Sequence, residues 1–414
     1  MQVEILPSKI EGEVIIPSSK SVAHRAFISA YLSGQPCKVL GDFSQDDLKA
    51  TLGVLENLGL KIEKIDGGLN LRRESIVADC KLDARESGST LRFILPILSA
   101  LGVKAEVYGS ERLSNRPIGE LLDVLKKNGA SFSQNKLPLT ISGKISAGVY
   151  EIDSSISSQY ITGLILALSY LDGKSEIKLL GKTVSKDYIK ITLDVLNDFG
   201  VNVKEIENGY EIDGGKFNSP SEYQVEGDWS SACFFACLAA LSGEILLKGL
   251  KLDSRQGDKI VLEVLKEIGA KVEALPDGTK VSKNELKAIE FDAENYPDFV
   301  PVLAVTLALC DGVSKIKNVS RLKDKESDRV FETINLLKTF SINAYEKDDC
   351  IIIEGGKPIG AIYNSPNDHR LSMSASVLAT CSSGKSQILN AECVNKSYPS
   401  FFEHLKAVGG KVNV

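Results

Sequence analysis

The sequence predicts an α/β protein of two domains, each made of three copies of one repeat. A nearly all-apolar helix recurs six times. The glycine predicted to end each of these helices recurs at intervals of 68 to 72 residues: Gly34, Gly102, Gly173, Gly243, Gly312 and Gly384. An amphipathic helix follows in every copy, with a leucine four residues before a terminal glycine, or before Ser341 in the fifth copy: Leu55, Leu125, Leu196, Leu265, Leu337 and Leu405. With 414 residues, the chain is also longer than the roughly 250–300 residues that one hydrophobic core usually supports.

The third copy shows the order of elements that we expect in all six. Its pattern predicts an apolar helix over residues 160–171 and a strand over residues 175–180. A polar loop, residues 181–186, leads to an amphipathic helix over residues 188–199 and a strand over residues 201–205. Because helical and strand periodicities alternate, the copies should form α/β layers, with the apolar helices inward and the sheets outward.

The two domains are predicted to differ in continuity. Strand-forming residues at the chain start, residues 3–17, need a later segment to pair with, and residues 226–228 resemble a second crossing between the halves. We therefore predict one continuous domain over residues 19–226 and a second domain formed by residues 1–18 and 227–414.

Composition excludes several classes of protein. The net charge is −6 and no basic run occurs, so nucleic acid is not a predicted partner. We find no apolar stretch of about 18 residues and no signal peptide, and we expect a cytoplasmic location without membrane contact. The eight cysteines are scattered singly, as in a reducing compartment, and Cys233 and Cys237 have no partner pair nearby, so no metal site is predicted.

Cationic and hydroxyl side chains collect at the N-terminal ends of the apolar helices. Serine and aspartate are ordinary N-caps there. Lys20, Arg25, Arg92 and Arg370, however, place positive charge where the helix dipole is already positive, on helices too apolar to be exposed. Since helix starts also offer unpaired N–H groups, several converging starts predict a site for an anionic ligand.

Charged residues at four further places support the same interpretation. Residues 324–329 are the densest cluster and should open the amphipathic helix of the fifth copy, with a salt-bridged, exposed helix start as the alternative. Residues 367–370 precede a predicted helix of small and apolar residues, 371–381, where exposed charge would be hard to explain. Arg116-Pro117 places proline at a predicted first helical position, and Lys396 occupies the equivalent loop of the sixth copy.

Seven short motifs resemble, in this order, those of the 5-enolpyruvylshikimate-3-phosphate synthase family: IPSSKS at residues 16–21, ESGSTLR at 86–92, NRPI at 115–118, SSQ at 157–159, KESDR at 325–329, DHR at 368–370 and KSYP at 396–399. The resemblance implies two domains, each an inside-out α/β barrel of three βαβαββ units. It also implies a transferase that moves the enolpyruvyl group of phosphoenolpyruvate onto the 5-hydroxyl of shikimate 3-phosphate and releases phosphate. No metal or organic cofactor is implied, and we expect a monomer whose partners are small-molecule substrates.

The resemblance assigns roles to individual residues. By position, the contacts of shikimate 3-phosphate would be Lys20, Ser21, Arg25, Ser157, Ser158, Gln159, Ser185, Asp298 and Lys325. The contacts of phosphoenolpyruvate would be Lys20, Gly88, Arg116, Gln159, Arg329, Arg370 and Lys396. Asp298 is the candidate general base and Glu326 the candidate acid, with Lys20 and Lys396 as alternative proton donors. Both substrates are multiply anionic, which suits a site rich in lysine and arginine.

Two other functions stay open. The sister family that acts on UDP-N-acetylglucosamine usually carries a reactive cysteine in the loop that matches residues 109–117, and this loop has none. An inactive protein that binds an anionic metabolite would be expected to lose Asp298, Glu326 or Lys20, and all three are present. Glyphosate, which competes with phosphoenolpyruvate in the family, would have room beside Gly88, although Glu86, Phe93 and Arg321 depart from common family residues.

Overall fold

The computed structural model describes all 414 residues, which divide into two compact units. Residues Ser18–Glu226 form the continuous unit, and Met1–Pro17 together with Gly227–Val414 form the discontinuous unit. The chain begins in the discontinuous unit with two strands, β1 (Gln2–Leu6) and β2 (Ile10–Ile15).

The continuous unit contains three copies of the repeat. Its first copy comprises α1 (Lys20–Ser33), β3 (Cys37–Leu40), α2 (Asp46–Asn57), β4 (Leu60–Ile65) and β5 (Gly68–Arg73). The second comprises β6 (Asp79–Asp83), α3 (Gly88–Leu101), β7 (Lys104–Tyr108), α4 (Glu111–Ser114), α5 (Gly119–Lys127), β8 (Ala130–Phe132) and β9 (Leu139–Gly143). The third comprises β10 (Val149–Asp153), α6 (Ser158–Tyr170), β11 (Gly173–Leu180), α7 (Lys186–Asp198), β12 (Val203–Ile206) and β13 (Gly209–Gly214), after which β14 (Glu222–Gln224) ends the unit.

The discontinuous unit repeats the same order. Its first copy comprises α8 (Trp229–Ser242), β15 (Gly243–Lys248), a 3-10 turn (Gly257–Ile260), α9 (Val261–Ile268), β16 (Lys271–Leu275) and β17 (Gly278–Ser282). The second comprises β18 (Glu290–Asp292), α10 (Val300–Leu307), β19 (Val313–Lys317), a 3-10 turn (Ser320–Asp324), α11 (Arg329–Thr339), β20 (Ala344–Lys347) and β21 (Cys350–Glu354). The third comprises β22 (Ile362–Asn364), α12 (His369–Cys381), β23 (Ser386–Leu389), a 3-10 turn (Ala391–Lys396), α13 (Phe401–Ala407) and β24 (Lys411–Asn413).

Every copy folds into a four-stranded sheet with one parallel pair and two antiparallel pairs. The continuous unit has the strand orders β14-β3-β5-β4, β6-β7-β9-β8 and β10-β11-β13-β12. The discontinuous unit has β16-β17-β15-β2, β18-β19-β21-β20 and β22-β23-β1-β24. The predicted pairing of the chain start is confirmed, since β1 joins β23 and β24 and β2 joins β15. The first and last sheets of the discontinuous unit are therefore completed by N-terminal residues.

The helices divide into the two predicted kinds. The apolar helices α1, α3, α6, α8, α10 and α12 are buried almost all round, because they pack against other helices and against the strands of their own unit. The amphipathic helices bury one side only, and the six recurring leucines noted above are all fully buried. The predicted α/β class, with six βαβαββ repeats arranged as inside-out barrels of three copies, is confirmed. Each helix is too short or too polar to span a lipid bilayer.

The recurring glycine ends the apolar helix in three copies. Gly34 and Gly102 are left-handed C-caps of α1 and α3, and Gly243 is the C-cap of α8. In the other three copies another residue is the C-cap, and the glycine lies at or near the start of the next strand. At Gly243, an added Cβ would lie 1.7 Å from the carbonyl oxygen of Ile10 on the parallel strand β2. Close approach of the paired strand therefore requires glycine at this helix end.

Two predictions about charged segments are also wrong in detail. The cluster at residues 324–329 does not open α11, because the helix begins only at Arg329, after Asp328 has capped it by accepting from the backbone of Val330 and Phe331. Pro117 lies outside any helix, since α5 begins at Gly119. Both segments are loops that carry cations in front of an amphipathic helix. Helix α12, by contrast, begins two residues earlier than predicted, at His369.

Candidate active site

The first turn of α1 carries Lys20 in an ion pair that the sequence did not predict. The Nζ atom of Lys20 lies 2.7 Å from Oδ2 of Asp47, and the two side chains are 18% and 8% exposed. Asp47 is the second residue of α2, a position where an acidic residue is ordinary and so gives no signal of function. The ammonium group is thus held in place by a largely buried carboxylate.

Arg25, one turn further along α1, is almost fully buried without a carboxylate partner. Its Nε atom donates to Oγ1 of Thr192 at 2.7 Å, and Nη1 donates to the carbonyl oxygen of Ser21 at 2.6 Å. Its Nη2 atom donates to the carbonyl oxygen of Tyr188 at 2.8 Å and to Oγ1 of Thr162 at 3.3 Å. No acidic side chain lies within ion-pair distance, and burial lowers the pKa of the guanidinium. The guanidinium also lies over the ring of Phe93, 5.2 Å from its centroid. A buried cation that contacts only neutral groups is electrostatically ready for an anion.

Gly88 and Arg116 are brought together at the start of α3. Ser87 caps this helix by accepting from the backbone of Thr90 at 3.2 Å. A Cβ atom added to Gly88 would lie 2.5 Å from Nη1 of Arg116 and 3.0 Å from its Cζ atom. The guanidinium of Arg116 therefore occupies space beside a helix start that any larger residue than glycine would restrict.

Gln159, in the first turn of α6, is fixed by a buried arginine to which no role was assigned. Nη1 of Arg92 donates to Oε1 of Gln159 at 2.6 Å, and Nη2 donates to the carbonyl oxygen of Pro117 at 3.2 Å. With its oxygen engaged, the Gln159 amide donates through Nε2 to Oγ of Ser89 at 2.9 Å. Gly163 permits this contact, since a Cβ there would lie 2.4 Å from the Arg92 carbonyl oxygen.

The three remaining serines of the continuous unit lie at the starts of α6 and α7. Ser157 accepts from the backbone of Gln159 at 3.3 Å, which is the ordinary N-cap that the sequence allowed. Ser158 and Ser185 are nearly fully buried. Ser185 has a φ of 52°, a left-handed conformation that is uncommon outside glycine. Through Arg25 and Arg92, the structure links the predicted residues of α1, α3, α6 and α7 into one region.

In the discontinuous unit, Arg329 is completely buried among three carboxylates. Its Nη1 atom lies 2.7 Å from Oδ1 of Asp298, and Nη2 lies 2.7 Å from Oε2 of Glu326. Its Nε atom lies 2.8 Å from Oδ2 of Asp368. Burial alone would lower the pKa of Arg329, but Asp368, Glu326 and Asp298 raise it. Asp368 had been noted in a motif without an assigned role, and the structure adds it to the site.

Asp298 bridges two arginines. Besides Arg329, its carboxylate contacts Nη2 of Arg370 at 3.2 Å, and its backbone oxygen accepts from Nη1 of Arg370 at 3.0 Å. Burial opposes ionisation of Asp298, but Arg370, Arg329 and Lys325 together lower its pKa below the ordinary range. Asp298 is therefore ionised at neutral pH. A carboxylate so strongly stabilised is a weak base while both arginines remain in place.

The other three predicted residues of this unit lie on two loops. Lys325 and Glu326 precede α11, and burial lowers the pKa of Lys325 to about 8, although Asp298 favours its charged form. Lys396 ends the 3-10 turn that packs against α12, the helix that carries Arg370 in its first turn. Lys325, Arg329 and Arg370 match Asp298, Glu326 and Asp368 in number, so these six formal charges balance. No group of three or more His, Cys, Asp or Glu side chains is arranged to hold a metal ion.

Comparisons with known proteins find relatives that match almost the whole chain. Residues 6–405 match the model of the EPSP synthase (3-phosphoshikimate 1-carboxyvinyltransferase) family. A 3-phosphoshikimate 1-carboxyvinyltransferase of Clostridium beijerinckii is 37% identical, covering 98% of this chain and 97% of the relative. The solved structure of EPSP synthase from Acinetobacter baumannii is 27% identical, with a TM-score of 0.85 and full coverage of both chains. The enolpyruvyl transferase NikO from Streptomyces tendae, at 16% identity and a TM-score of 0.82, shares the fold.

Proposed function

This chain belongs to the EPSP synthase family, and from that premise we propose that its two groups of buried cations hold the two anionic substrates of the family's reaction. The protein transfers the enolpyruvyl group of phosphoenolpyruvate to the 5-hydroxyl of shikimate 3-phosphate and releases phosphate, a step of the shikimate pathway. The match over nearly the whole chain carries this conclusion.

Shikimate 3-phosphate is assigned chiefly to the continuous unit. Arg25 supports this assignment most strongly, because its buried charge has no carboxylate partner. The assigned contacts are Lys20, Ser21, Arg25, Ser157, Ser158, Gln159 and Ser185, with Asp298 and Lys325 from the discontinuous unit. A hydrogen bond to a charged group contributes on the order of 1.5–3 kcal/mol net, so several such contacts can hold an anion against its hydration.

Phosphoenolpyruvate is assigned to Lys20, Gly88, Arg116, Gln159, Arg329, Arg370 and Lys396. Arg116 and Gln159 have guanidinium and amide donors at the starts of α3 and α6. Arg329 and Arg370 are already paired with carboxylates, so the substrate anion must exchange with part of that pairing. When the substrate draws the two arginines toward itself, Asp298 loses stabilisation and its pKa rises. Substrate binding would thus turn a weak base into an effective one.

We propose that Asp298 takes the proton of the 5-hydroxyl of shikimate 3-phosphate. At the same time the oxygen of that hydroxyl forms a bond to C2 of phosphoenolpyruvate. An acid delivers a proton to C3, which gives a tetrahedral adduct. Glu326 is the proposed acid, with Lys20 and Lys396 as alternatives. Loss of phosphate from C2 and of a proton from C3 then restores the enol double bond, so the acid of the first step becomes the base of the second.

The same proposal covers the domains, oligomeric state, location and inhibitor of the protein. We propose that the two units are the two functional domains, that the protein acts as a monomer in the cytoplasm, and that it has neither nucleic-acid nor membrane partners. Glyphosate is proposed to compete with phosphoenolpyruvate beside Gly88. Inhibition kinetics would show this as a rise in the apparent KM for phosphoenolpyruvate, and activity independent of glyphosate concentration would contradict it.

Phosphate release tests the proposed function directly. The purified protein is incubated with phosphoenolpyruvate and either shikimate 3-phosphate or UDP-N-acetylglucosamine, alongside Lys20→Met and the control Lys49→Met, which changes an exposed lysine of α2. We expect release with shikimate 3-phosphate alone, lost in Lys20→Met and retained in the control. Release only with the nucleotide sugar would favour the sister transferase. Tight binding of shikimate 3-phosphate without release would favour a non-catalytic binding protein.

A further inference from the structure

Two buried threonines, Thr192 on α7 and Thr162 on α6, surround the guanidinium of Arg25. Both side chains are completely buried. Thr192 accepts from Nε of Arg25 at 2.7 Å, and Thr162 accepts from Nη2 at 3.3 Å. The two hydroxyl oxygens lie 2.9 Å apart. Neither residue is assigned a role by the resemblance.

The directions of these hydrogen bonds follow from the number of protons. A threonine hydroxyl has one proton to donate and two lone pairs to accept with. The hydroxyl of Thr192 donates to the carbonyl oxygen of Tyr188 at 3.0 Å, so its lone pairs must accept from Arg25 and from Thr162. The proton of Thr162 is then committed to Thr192, and its lone pair faces Nη2 of Arg25. The network has a single consistent orientation.

This network leaves Arg25 one donor. The guanidinium has five N–H groups, and four of them are taken by Thr192, Thr162, Tyr188 and Ser21. The fifth lies on Nη1, the nitrogen that contacts the first turn of α1, where Lys20 and Ser21 are located. The fork is therefore turned so that its open edge faces the helix start.

We infer that Thr192 and Thr162 are positioning residues, which hold the Arg25 fork so that one Nη1 N–H and the full positive charge face shikimate 3-phosphate. A threonine hydroxyl that donates to the carbonyl four residues earlier is common in helices, and Thr306 does this in α10. Thr192 differs because its lone pairs also receive the arginine. The inference rests on the proposed function, since it takes Arg25 as a substrate contact.

Isosteric variants test this inference in the full-length protein. Thr192→Val removes the acceptor of Nε at almost constant volume, and we expect the KM for shikimate 3-phosphate to rise about tenfold, with little change in kcat or in the KM for phosphoenolpyruvate. Thr162→Val removes a longer contact and should raise that KM about threefold. Thr192→Ser keeps the hydroxyl and should stay within about twofold of the wild type. Thr306→Val, a buried threonine outside the site, is the matched control.

The outcomes distinguish failure of the positioning role from failure of the proposed function. If Thr192→Val leaves the KM unchanged while Arg25→Met raises it, the positioning role is wrong and the proposed function stands. If neither variant changes the KM, Arg25 is not a substrate contact and that part of the proposed function fails. If Thr192→Ser is as impaired as Thr192→Val, or if Thr306→Val raises the same KM, the effect is general packing and the inference is overturned. Should Thr192→Val not fold, Thr162→Val and Thr192→Ser give the same decision.

Discussion

Both units bury an arginine, but Arg25 and Arg329 have opposite surroundings. Arg329 contacts three carboxylates and is completely buried, whereas Arg25 contacts two hydroxyls and two carbonyl oxygens and is 2% exposed. The carboxylates raise the pKa of Arg329, while burial lowers that of Arg25. An arginine whose charge is already balanced is a structural element until a ligand displaces its partners. An arginine without a counter-charge is destabilising until a ligand supplies one.

The difference also separates how the two substrates would bind. At Arg25 an anion can enter and add a missing charge, so binding requires little rearrangement of protein groups. At Arg329 and Arg370 an anion competes with Asp298, Glu326 and Asp368, so binding is coupled to the ionisation of the proposed catalytic carboxylates. Capture of shikimate 3-phosphate through Arg25 and activation of Asp298 as a base are thus assigned to different units.

The largest expected effect comes from Asp298→Asn, which removes one of the three carboxylates around Arg329. A general base contributes about 10²–10⁴-fold to kcat, and if Asp298 has the proposed role we expect a loss near the middle of this range. Affinity for phosphoenolpyruvate should be unchanged or tighter, because two arginines lose a competing anion. Steady-state kinetics and a binding titration measure the two effects. Asp311→Asn, at an exposed residue, is the control. A large loss of kcat accompanied by weaker binding of phosphoenolpyruvate would contradict the claim that Asp298 competes with this substrate for the two arginines.

Arg25→Met should have the next largest effect, and only on one substrate. Loss of a charge-assisted contact of about 1.5–3 kcal/mol corresponds to a rise of roughly 10–150-fold in the KM for shikimate 3-phosphate. The KM for phosphoenolpyruvate should change less than threefold. Initial rates at varied concentrations of each substrate give both KM values. An equal rise in both values would show that Arg25 does not discriminate between the substrates.

Gly88→Ala tests the position of Arg116 and should have a moderate effect. The added methyl group would lie 2.5 Å from Nη1 of Arg116, so the end of that side chain must move. We expect about a tenfold rise in the KM for phosphoenolpyruvate, with that for shikimate 3-phosphate nearly unchanged. Gly119→Ala is the control, because an added Cβ at Gly119 meets no atom within 4 Å. An unaffected Gly88→Ala enzyme would mean that Arg116 is not needed where the structure places it.

The smallest predicted effect is a pH dependence from Lys325. Burial lowers its pKa to about 8, and a lysine is charged below its pKa and neutral above it. The dissociation constant of shikimate 3-phosphate should therefore rise as pH increases, by about threefold between pH 7.5 and 8.5. Calorimetric titration across that interval measures it, and Lys325→Met should bind more weakly with a flatter profile. An identical slope in Lys325→Met would assign the titration to another group.

Sequence alone predicted the repeats, and its motifs singled out most of the charged residues discussed above, because periodicity and motif order are local properties. The recurring leucines and the pairing of β1 and β2 followed from such patterns. The residues that contact the buried cations could not be predicted from such patterns. Asp47 lies 27 residues from Lys20, and Thr192 lies 167 residues from Arg25, so only the folded chain reveals them. Asp368 and Arg92 stood in recognised motifs, but their roles depend on contacts between different helices.

Equilibrium denaturation of Arg25→Met and Arg329→Met beside the wild type tests the central contrast most directly. For Arg329→Met we expect a loss of about 3–5 kcal/mol in the free energy of unfolding, because three carboxylates are left without their cation. For Arg25→Met we expect a change within about 1 kcal/mol, or a gain, since the buried charge had no counter-ion. Circular dichroism in guanidinium chloride would report both values. Equal losses in the two variants, or a larger loss in Arg25→Met, would contradict the claim that Arg25 is held ready for an anion.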